Sequence, residues 1–185
     1  MADRLRVLGI SGSFRQASFN TALLHTAIDL APSGMEIEIL EYRDLPFYDE
    51  DVRAKGYPEV VQRFRERIAQ SDGLLIATPE YNYSVPGPLK NAIDWASRPP
   101  HQPFGGKPLG IMGASSGLGG TARAQAHLRQ IASTVDLHVL NKPEVYVRSA
   151  GDKIADGRIS DEPTRKVISD FMTAYEKWVR LFVKA

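Results

Sequence analysis

The sequence contains no cysteine among its 185 residues. Disulfides, thiolate zinc sites, cysteine nucleophiles and iron–sulfur clusters are therefore excluded, and the redox compartment is left undetermined. Long hydrophobic runs are also lacking. No stretch approaches the roughly 18 apolar residues that a membrane span needs, and the apolar run near the N-terminus is too short for a signal peptide. We therefore expect a cytoplasmic protein with no membrane span.

An excess of charge of one sign is lacking as well. The chain has 23 Lys and Arg against 22 Asp and Glu, and the positive residues are scattered along it. Proteins that neutralise a nucleic-acid backbone carry a basic patch or stripe, so a nucleic-acid partner is not expected. With 43% hydrophobic residues, the chain is long enough to bury one good core, and residues 1–185 are expected to form a single domain.

Short apolar runs alternate along the chain with stretches of helical periodicity. Five runs predict strands, because most of them are nearly continuous in apolar residues, as strands buried on both faces are. They are Leu5 to Ile10, Glu36 to Leu40, Leu74 to Ala77, Leu109 to Met112 and Leu137 to Val147. Apolar residues on one helical face predict helices over Leu23 to Ile28, Val60 to Ile68 and Leu89 to Ala96.

A longer apolar stripe, from Val167 to Phe182, predicts a last helix that closes over the sheet, and the segment 150–162 before it predicts a loop. Alternation of strand and helix indicates an α/β fold, with a doubly wound, five-stranded parallel sheet and helices on both faces. Ligands of such sheets bind beyond the carboxyl ends of the strands. The loops after strands one, three and four are therefore the candidate site.

The first of these loops, GSFRQASFN, lies between a strand and a helix. Its hydroxyl and amide groups, its arginine and the free N–H groups at the helix start favour a phosphomonoester. The alternative is that Ser18 or Asn20 merely caps the helix and that Arg15 is solvated. The loop has neither GxxxxGK[ST] nor GxGxxG, so a Walker loop and a dinucleotide fingerprint are excluded.

The loop after the third strand, TPEYNYSVPGP, contains three prolines that stiffen it. Main-chain N–H groups from Glu80 to Tyr83 can then face a flat heteroaromatic ring, with Tyr81 and Tyr83 as its walls. A strand-to-helix turn whose aromatic rings pack locally explains the composition equally well.

The fourth strand leads into GASSGLGGTARA, whose glycines allow a ligand to approach the main chain. A flexible surface turn is the alternative. The string is similar to the cofactor turn of short-chain dehydrogenases, but that turn follows the first strand. Only 65 residues follow Gly120 and the YxxxK pair is missing, so this class is excluded.

Taken together, the three loops resemble the NADPH-dependent FMN reductase family, a flavodoxin-like group that includes chromate and quinone reductases. GSFRQASFN is similar to the family's GSxRxxSxN phosphate turn, and PEYNYSVPGPLKNAIDW is similar to its flavin-loop signature nearly throughout. The Gly-rich turn after the fourth strand is in register. The similarity covers residues 4–147.

The resemblance implies a set of FMN-binding residues. The phosphate would be held by Ser11, Ser13, Arg15, Ser18 and Asn20, with Phe19 beside them. The isoalloxazine would lie against Pro79, Glu80, Tyr81, Asn82 and Tyr83, and Ser115, Ser116 and Gly117 would hold its pyrimidine side. The position of Glu80 within the signature favours a role in loop geometry. A role as catalytic acid is the alternative.

The resemblance also implies the chemistry. NAD(P)H would pass hydride to flavin N5 and then leave, and a quinone, flavin, ferric, chromate or azo acceptor would take its place, which gives ping-pong kinetics. No side chain need act as acid or base. A phosphate turn closed around a monoester favours FMN over FAD. A flavodoxin-type electron carrier is the alternative, but such carriers are strongly acidic, whereas this chain is nearly neutral. A flavin-binding regulatory protein is a weaker alternative.

Several assignments stay open. NADH and NADPH are not distinguished, since Arg98, Arg123 and Lys107 are all candidates for a 2′-phosphate contact. Arg98 and His101 would contact the nucleotide, a neighbouring subunit or solvent.

Family members are typically homodimers or homotetramers with the helix after PEYN at the interface, which would give Leu89, Ile93 and Trp95 a second use. Trp95 in the core is the alternative. His25, His127 and His138 show no metal-ligand spacing, so we expect structural roles for them and no metal site.

Overall fold

The computed structural model describes residues 4–183 and contains one parallel sheet. Its strands are β1 (Leu5–Ser11), β2 (Met35–Ile39), β3 (Gly73–Ala77), β4 (Pro108–Ala114), β5 (His138–Val139) and β6 (Val145–Val147). The order across the sheet is β2-β1-β3-β4-β5, and β6 also pairs with β4. This is the flavodoxin-like order, in which the chain leaves β1 for one side and later returns to the other.

Helices cover both faces of the sheet. They are α1 (Phe19–Asp29), α2 (Glu50–Ala54), α3 (Glu59–Gln70), α4 (Gly87–Ala96), α5 (Ala122–Thr134) and α6 (Glu162–Arg180). One apolar cluster joins α1 and α6 to one face, and a second joins α3, α4 and α5 to the other. Among residues 4–183, no helix combines the length and the apolar character that crossing a membrane requires.

The two central strands are buried along their whole length, which explains their unbroken apolar sequence. Every residue of β3 and of β4 is buried. On the α6 side, the Tyr175 side chain is fully buried and its hydroxyl donates to the Leu74 carbonyl oxygen at 2.6 Å. Burial raises the pKa of Tyr175, so this hydroxyl stays protonated at any ordinary pH.

Three sequence-based expectations were wrong in detail. The fifth strand is not continuous from Leu137 to Val147: β5 pairs with the first half of β4 and β6 with the second half. The segment 150–162 is not simply a loop, because it contains a 3-10 turn (Ala150–Lys153) and a hairpin of β7 (Ile154–Ala155) and β8 (Arg158–Ile159). Val167, placed in the apolar stripe of α6, is 43% exposed.

The apolar residues of helix α4 that the family resemblance places at an interface are buried within a single chain. Leu89, Ile93 and Trp95 are 1%, 5% and 0% exposed within a single chain. The Trp95 indole N–H donates to the Pro46 carbonyl oxygen at 2.8 Å, and the Tyr48 ring packs edge-on against the indole. Trp95 is therefore a core residue, and homodimer or homotetramer formation stays a prediction from the family resemblance alone.

Replacing Tyr175 by Phe should lower the free energy of unfolding by about 1 to 2 kcal/mol, because the Leu74 carbonyl oxygen loses a buried donor. Urea unfolding of the protein without added ligands measures this change. Tyr146→Phe is the control, since the Tyr146 hydroxyl donates to a Glu144 carboxylate near the surface. Equal stability of the two variants would contradict the buried hydrogen bond.

Candidate functional site

The loops after β1, β3 and β4 meet at the carboxyl edge of the sheet. The Gly12 N–H donates to the Ala77 carbonyl oxygen at 2.8 Å, and the Thr78 N–H donates to Met112 at 3.0 Å. The approach at Gly12 is close, since a Cβ there would lie 3.0 Å from Pro79 Cδ. The three loops are therefore in contact at the switch point of the sheet, where ligands of this fold bind.

The first loop presents unpaired main-chain donors at the start of α1. Ser18 caps the helix, since its hydroxyl accepts from the N–H groups of Asn20 at 3.2 Å and Thr21 at 3.3 Å. Within residues 4–183, the N–H groups of Gln16 and Ala17 have no protein acceptor. Both residues precede the N-cap Ser18, and unpaired N–H groups beside the positive end of a helix attract an anion. The first loop therefore has the donor set that a phosphate needs.

The two other hydroxyls of this loop are partly engaged within it. The Ser11 Oγ lies 2.8 Å from the Thr21 Oγ1, and the Ser13 Oγ accepts from the Arg15 N–H at 3.3 Å. Because the Ser13 hydroxyl accepts in this contact, its one hydrogen stays available for a ligand, whereas the Ser11 hydroxyl also donates to the Ser13 carbonyl oxygen at 3.3 Å. Their positions are thus fixed before any anion arrives.

Arg15 folds back over its own loop. Its guanidinium donates to the Ala17 carbonyl oxygen at 2.8 Å and lies 4.8 Å from the centre of the Phe19 ring. The side chain is otherwise exposed, and most of its N–H groups stay available. This arrangement brings a positive charge to the start of α1.

Tyr42 supports the first loop and lies outside every motif. Its hydroxyl donates to the Ser11 carbonyl oxygen at 2.8 Å, and its ring packs 4.8 Å from that of Phe14. Burial, with the nearby Glu41 charge, raises the pKa of Tyr42, so the hydroxyl remains a donor. Nothing in the local sequence pairs this residue with a loop about 30 positions earlier, so sequence reasoning missed it.

The Asn20 amide is engaged with main chain of the protein itself, and its role as a phosphate contact stays a prediction. The side chain is 2% exposed. Its amide group donates to the Ala114 carbonyl oxygen at 2.9 Å and accepts from the Ala114 N–H at 2.9 Å. The main-chain N–H of Asn20 is also used, by Ser18. Asn20 therefore links α1 to the end of β4.

The second loop contains a two-residue reverse turn. Tyr81 and Ser84 exchange two main-chain hydrogen bonds of 3.0 Å each. Asn82 and Tyr83 between them have φ values of 50° and 64°, the left-handed region that a type I′ turn requires. Tyr81 and Tyr83 are 50% and 65% exposed, and their role as walls of a ring site stays a prediction. Proline content predicted a stiff loop but not this turn.

Glu80 holds the second loop against the Gly-rich turn. Its carboxylate accepts from the N–H groups of Arg123 at 2.9 Å and Ala124 at 3.1 Å, in the first turn of α5. The residue preceding α5, Thr121, has a φ of 71° and makes no side-chain cap. Glu80 therefore replaces the missing cap from another loop, and this geometry agrees with the structural role that the sequence favoured for it.

The Gly-rich turn after β4 is closed on one side and open on the other. The Ser115 N–H donates to Val147 and the Ser115 Oγ lies 3.2 Å from the Gly117 carbonyl oxygen. Ser116 and Gly117 are exposed, and a Cβ added at Gly117 would have nothing within 4 Å. A flat ligand can therefore approach the main chain of this turn.

The basic residues proposed for nucleotide recognition are widely separated. Only Arg123 lies at the site: its guanidinium is 4.0 Å from the centre of the Tyr83 ring. Lys107 directly precedes β4, at the edge of the sheet opposite the three loops. Its ammonium group donates to the carbonyl oxygens of Ala69 and Ser71. Lys107 therefore does not lie beside the three loops.

Arg98 and His101 follow the end of α4, at the same edge of the sheet as Lys107. The Arg98 side chain donates to Asp94 and Ser97, at the C-terminus of α4. A buried arginine missed by sequence reasoning, Arg65, donates to five carbonyl oxygens of residues 95–101, including those of Arg98 and His101. The structure therefore gives this segment a packing role.

The histidines do not form a common centre. The His127 Nδ1 lies 3.0 Å from the Oγ of Ser84, in the second loop, whereas His138 packs against the Phe182 ring. Among residues 4–183, no group of three or more His, Asp or Glu side chains is arranged to hold a metal ion.

Comparison with known proteins gives consistent results. The family described as NADPH-dependent FMN reductase matches residues 5–152. An NAD(P)H-dependent FMN reductase of Pseudomonas aeruginosa is 56% identical over 97% of this chain and 98% of its own. A 2-hydroxy-1,4-benzoquinone reductase of a Burkholderia species is 46% identical over 95% and 97% of the two chains.

A solved structure is similar over nearly the whole chain. It is that of FerB, a flavoenzyme NAD(P)H:(acceptor) oxidoreductase from Paracoccus denitrificans. The two chains are 39% identical with a TM-score of 0.87, and the match covers 96% of this chain and 98% of FerB.

Replacing Gly113 by Ala should lower the free energy of unfolding by about 2 to 3 kcal/mol through overpacking. The new Cβ would overlap Thr121 Oγ1 and lie 2.6 Å from the Thr78 carbonyl oxygen. Gly117→Ala is the matched control in the same turn, and we expect its stability to be unchanged. Urea unfolding of both variants measures the difference, and a Gly113→Ala protein as stable as the control would refute the close packing of the loops.

Proposed function

The chain belongs to the NADPH-dependent FMN reductase family, and we propose that it reduces quinones with electrons from NAD(P)H, donor and acceptor binding in turn. It is an oxidoreductase, with FMN as its cofactor and NAD(P)H as its electron donor. Two observations support quinone as the acceptor. Relatives are named quinone reductases, and the tyrosines of the second loop are exposed.

The donor groups of the first loop fit the phosphate of FMN. Ser11, Ser13, Ser18 and the N–H groups of Gln16 and Ala17 provide neutral donors, and Arg15 adds a charge. A terminal monoester can enter between the helix start and Arg15, whereas the second phosphate and adenosine of FAD would have to pass them. We therefore propose that the chain binds FMN in preference to FAD.

The ring site is assigned to the second loop and the Gly-rich turn. Tyr81 and Tyr83 offer aromatic faces, and the N–H groups of Asn82 and Tyr83 have no protein acceptor in the described part of the chain. Gly117 leaves the opposite turn open. Main-chain donors at the ring can stabilise negative charge on a reduced cofactor. Pro79 and Glu80 fix the loop, and we propose no acid or base among the side chains.

FMN, when bound, supplies the redox chemistry, since it accepts hydride from NAD(P)H and returns the electrons to an acceptor. The protein contributes binding and orientation. Exposed aromatic walls recognise planar molecules mainly by stacking, with few directed polar contacts. We therefore propose broad specificity for quinones, and free flavin, ferric and chromate acceptors as further substrates.

Arg15→Ala should lower the affinity for FMN by roughly 10- to 100-fold, the loss of one charge-assisted hydrogen bond. Riboflavin, which has no phosphate, should bind both proteins equally. Flavin fluorescence quenching measures the two dissociation constants. Arg63→Ala, on the exposed side of α3, is the control for a lost surface arginine. Unchanged FMN affinity in Arg15→Ala would leave Arg15 as a solvated residue.

Steady-state kinetics test the proposed order of binding. If donor and acceptor use one ring site in turn, double-reciprocal plots at several quinone concentrations should give parallel lines, and excess quinone should inhibit by competing with the nucleotide. Several planar quinones should be reduced with similar kcat/KM. Intersecting lines would require a complex of enzyme with both substrates and would refute the shared site.

A further inference from the structure

Asn20 completes main-chain pairing that the sheet itself leaves unfinished. The last paired residues of β3 and β4 are Ala77 and Met112, and β4 continues to Ala114. The Thr78 N–H still bonds Met112, but the next residue is Pro79, which has no N–H, and the chain then turns away. Ala114 is thus left without a strand beside it on this side.

The main-chain N–H and carbonyl oxygen of Ala114 face the β3 side of β4. Main-chain groups alternate between the two sides of a strand. Met112 bonds on the β3 side and Ser115 on the β6 side, to Val147, so Ala114 faces the same side as Met112. Its N–H and carbonyl oxygen would be buried without partners, which is costly.

The Asn20 amide supplies both partners at once. One amide can donate to a carbonyl oxygen and accept from an N–H, as a neighbouring strand would. The bonds are both 2.9 Å and the side chain is 2% exposed. They cross 94 positions of sequence and join the start of α1 to the residue just before Ser115.

We propose that Asn20 is a positioning residue, which holds the Gly-rich turn at the distance from the phosphate loop that the flavin ring requires. This inference rests on the proposed FMN site. It differs from a phosphate contact in one respect: a positioning residue affects ring binding, so its loss weakens flavins with and without a phosphate.

Thr26 provides a matched control on the same helix. Its side chain is also fully buried and also bonds main chain far away in sequence, since its Oγ1 accepts from the Ile159 N–H at 2.8 Å. That contact lies on the hairpin of β7 and β8, away from the three loops. Thr26→Val therefore removes a comparable buried link without touching the proposed site.

The experiment compares Asn20→Ala, Thr26→Val and the unaltered protein. Urea unfolding of the flavin-free proteins gives their stabilities, and fluorescence quenching gives dissociation constants for FMN and riboflavin. We expect both variants to lose stability. Only Asn20→Ala should bind FMN and riboflavin more weakly, each by roughly tenfold, as expected for loss of oriented main-chain donors.

Two outcomes would overturn the proposal. If Asn20→Ala lost affinity for FMN but not for riboflavin, Asn20 would be a phosphate ligand. If it lost stability without any change in flavin affinity beyond that of Thr26→Val, Asn20 would be a structural link only. Failure of the unaltered protein to bind FMN would instead refute the proposed function.

A measurement on the unaltered protein covers the case in which Asn20→Ala does not fold. Amide hydrogen exchange of the flavin-free protein should show the Ala114 N–H protected to the level of the β4 interior. Exchange at the rate of the exposed Ser116 amide would mean that the Asn20 link is not formed before the cofactor binds, and would also overturn the proposal.

Discussion

The carboxyl edge of the sheet must satisfy its main-chain groups after the strands have diverged. Parallel strands separate there so that loops can surround a ligand, and each separation leaves buried N–H and carbonyl groups without a ladder partner. In this protein, side chains from distant segments of the chain provide the missing hydrogen bonds. Asn20 pairs with Ala114, and Glu80 pairs with the first turn of α5. The position of each loop consequently depends on its neighbours.

This arrangement divides the loop residues into two groups. Side chains such as Asn20, Glu80 and Tyr42 hold the loops in place. The main-chain N–H groups of Gln16, Ala17, Asn82 and Tyr83 have no acceptor among residues 4–183. Main-chain donors held in place need little reorganisation when a ligand binds, which favours tight binding of a cofactor. An enzyme whose cofactor supplies the chemistry needs orientation more than reactive side chains.

The turn at Tyr81–Ser84 illustrates the cost of such orientation. Two consecutive non-glycine residues adopt positive φ, which costs on the order of 1 kcal/mol or more for each. The two reciprocal hydrogen bonds of the turn and the packing of Arg123 on Tyr83 offset part of this cost. The gain is an exposed pair of tyrosines in fixed directions beside unpaired N–H groups.

The sequence by itself determined the alternation of elements, the buried central strands and the three loops that meet at the candidate site. These follow from periodicity and from local motifs, which a linear reading can detect. Tertiary structure alone decided that the last strand is split, that Trp95 is buried in one chain, and that Asn20 and Glu80 bond distant main chain. The physical reason is that each of these outcomes depends on groups far away in sequence, from the pairing of Pro108 with His138 to the 94 positions between Asn20 and Ala114. Only the packed sheet decides which of those groups are left without partners.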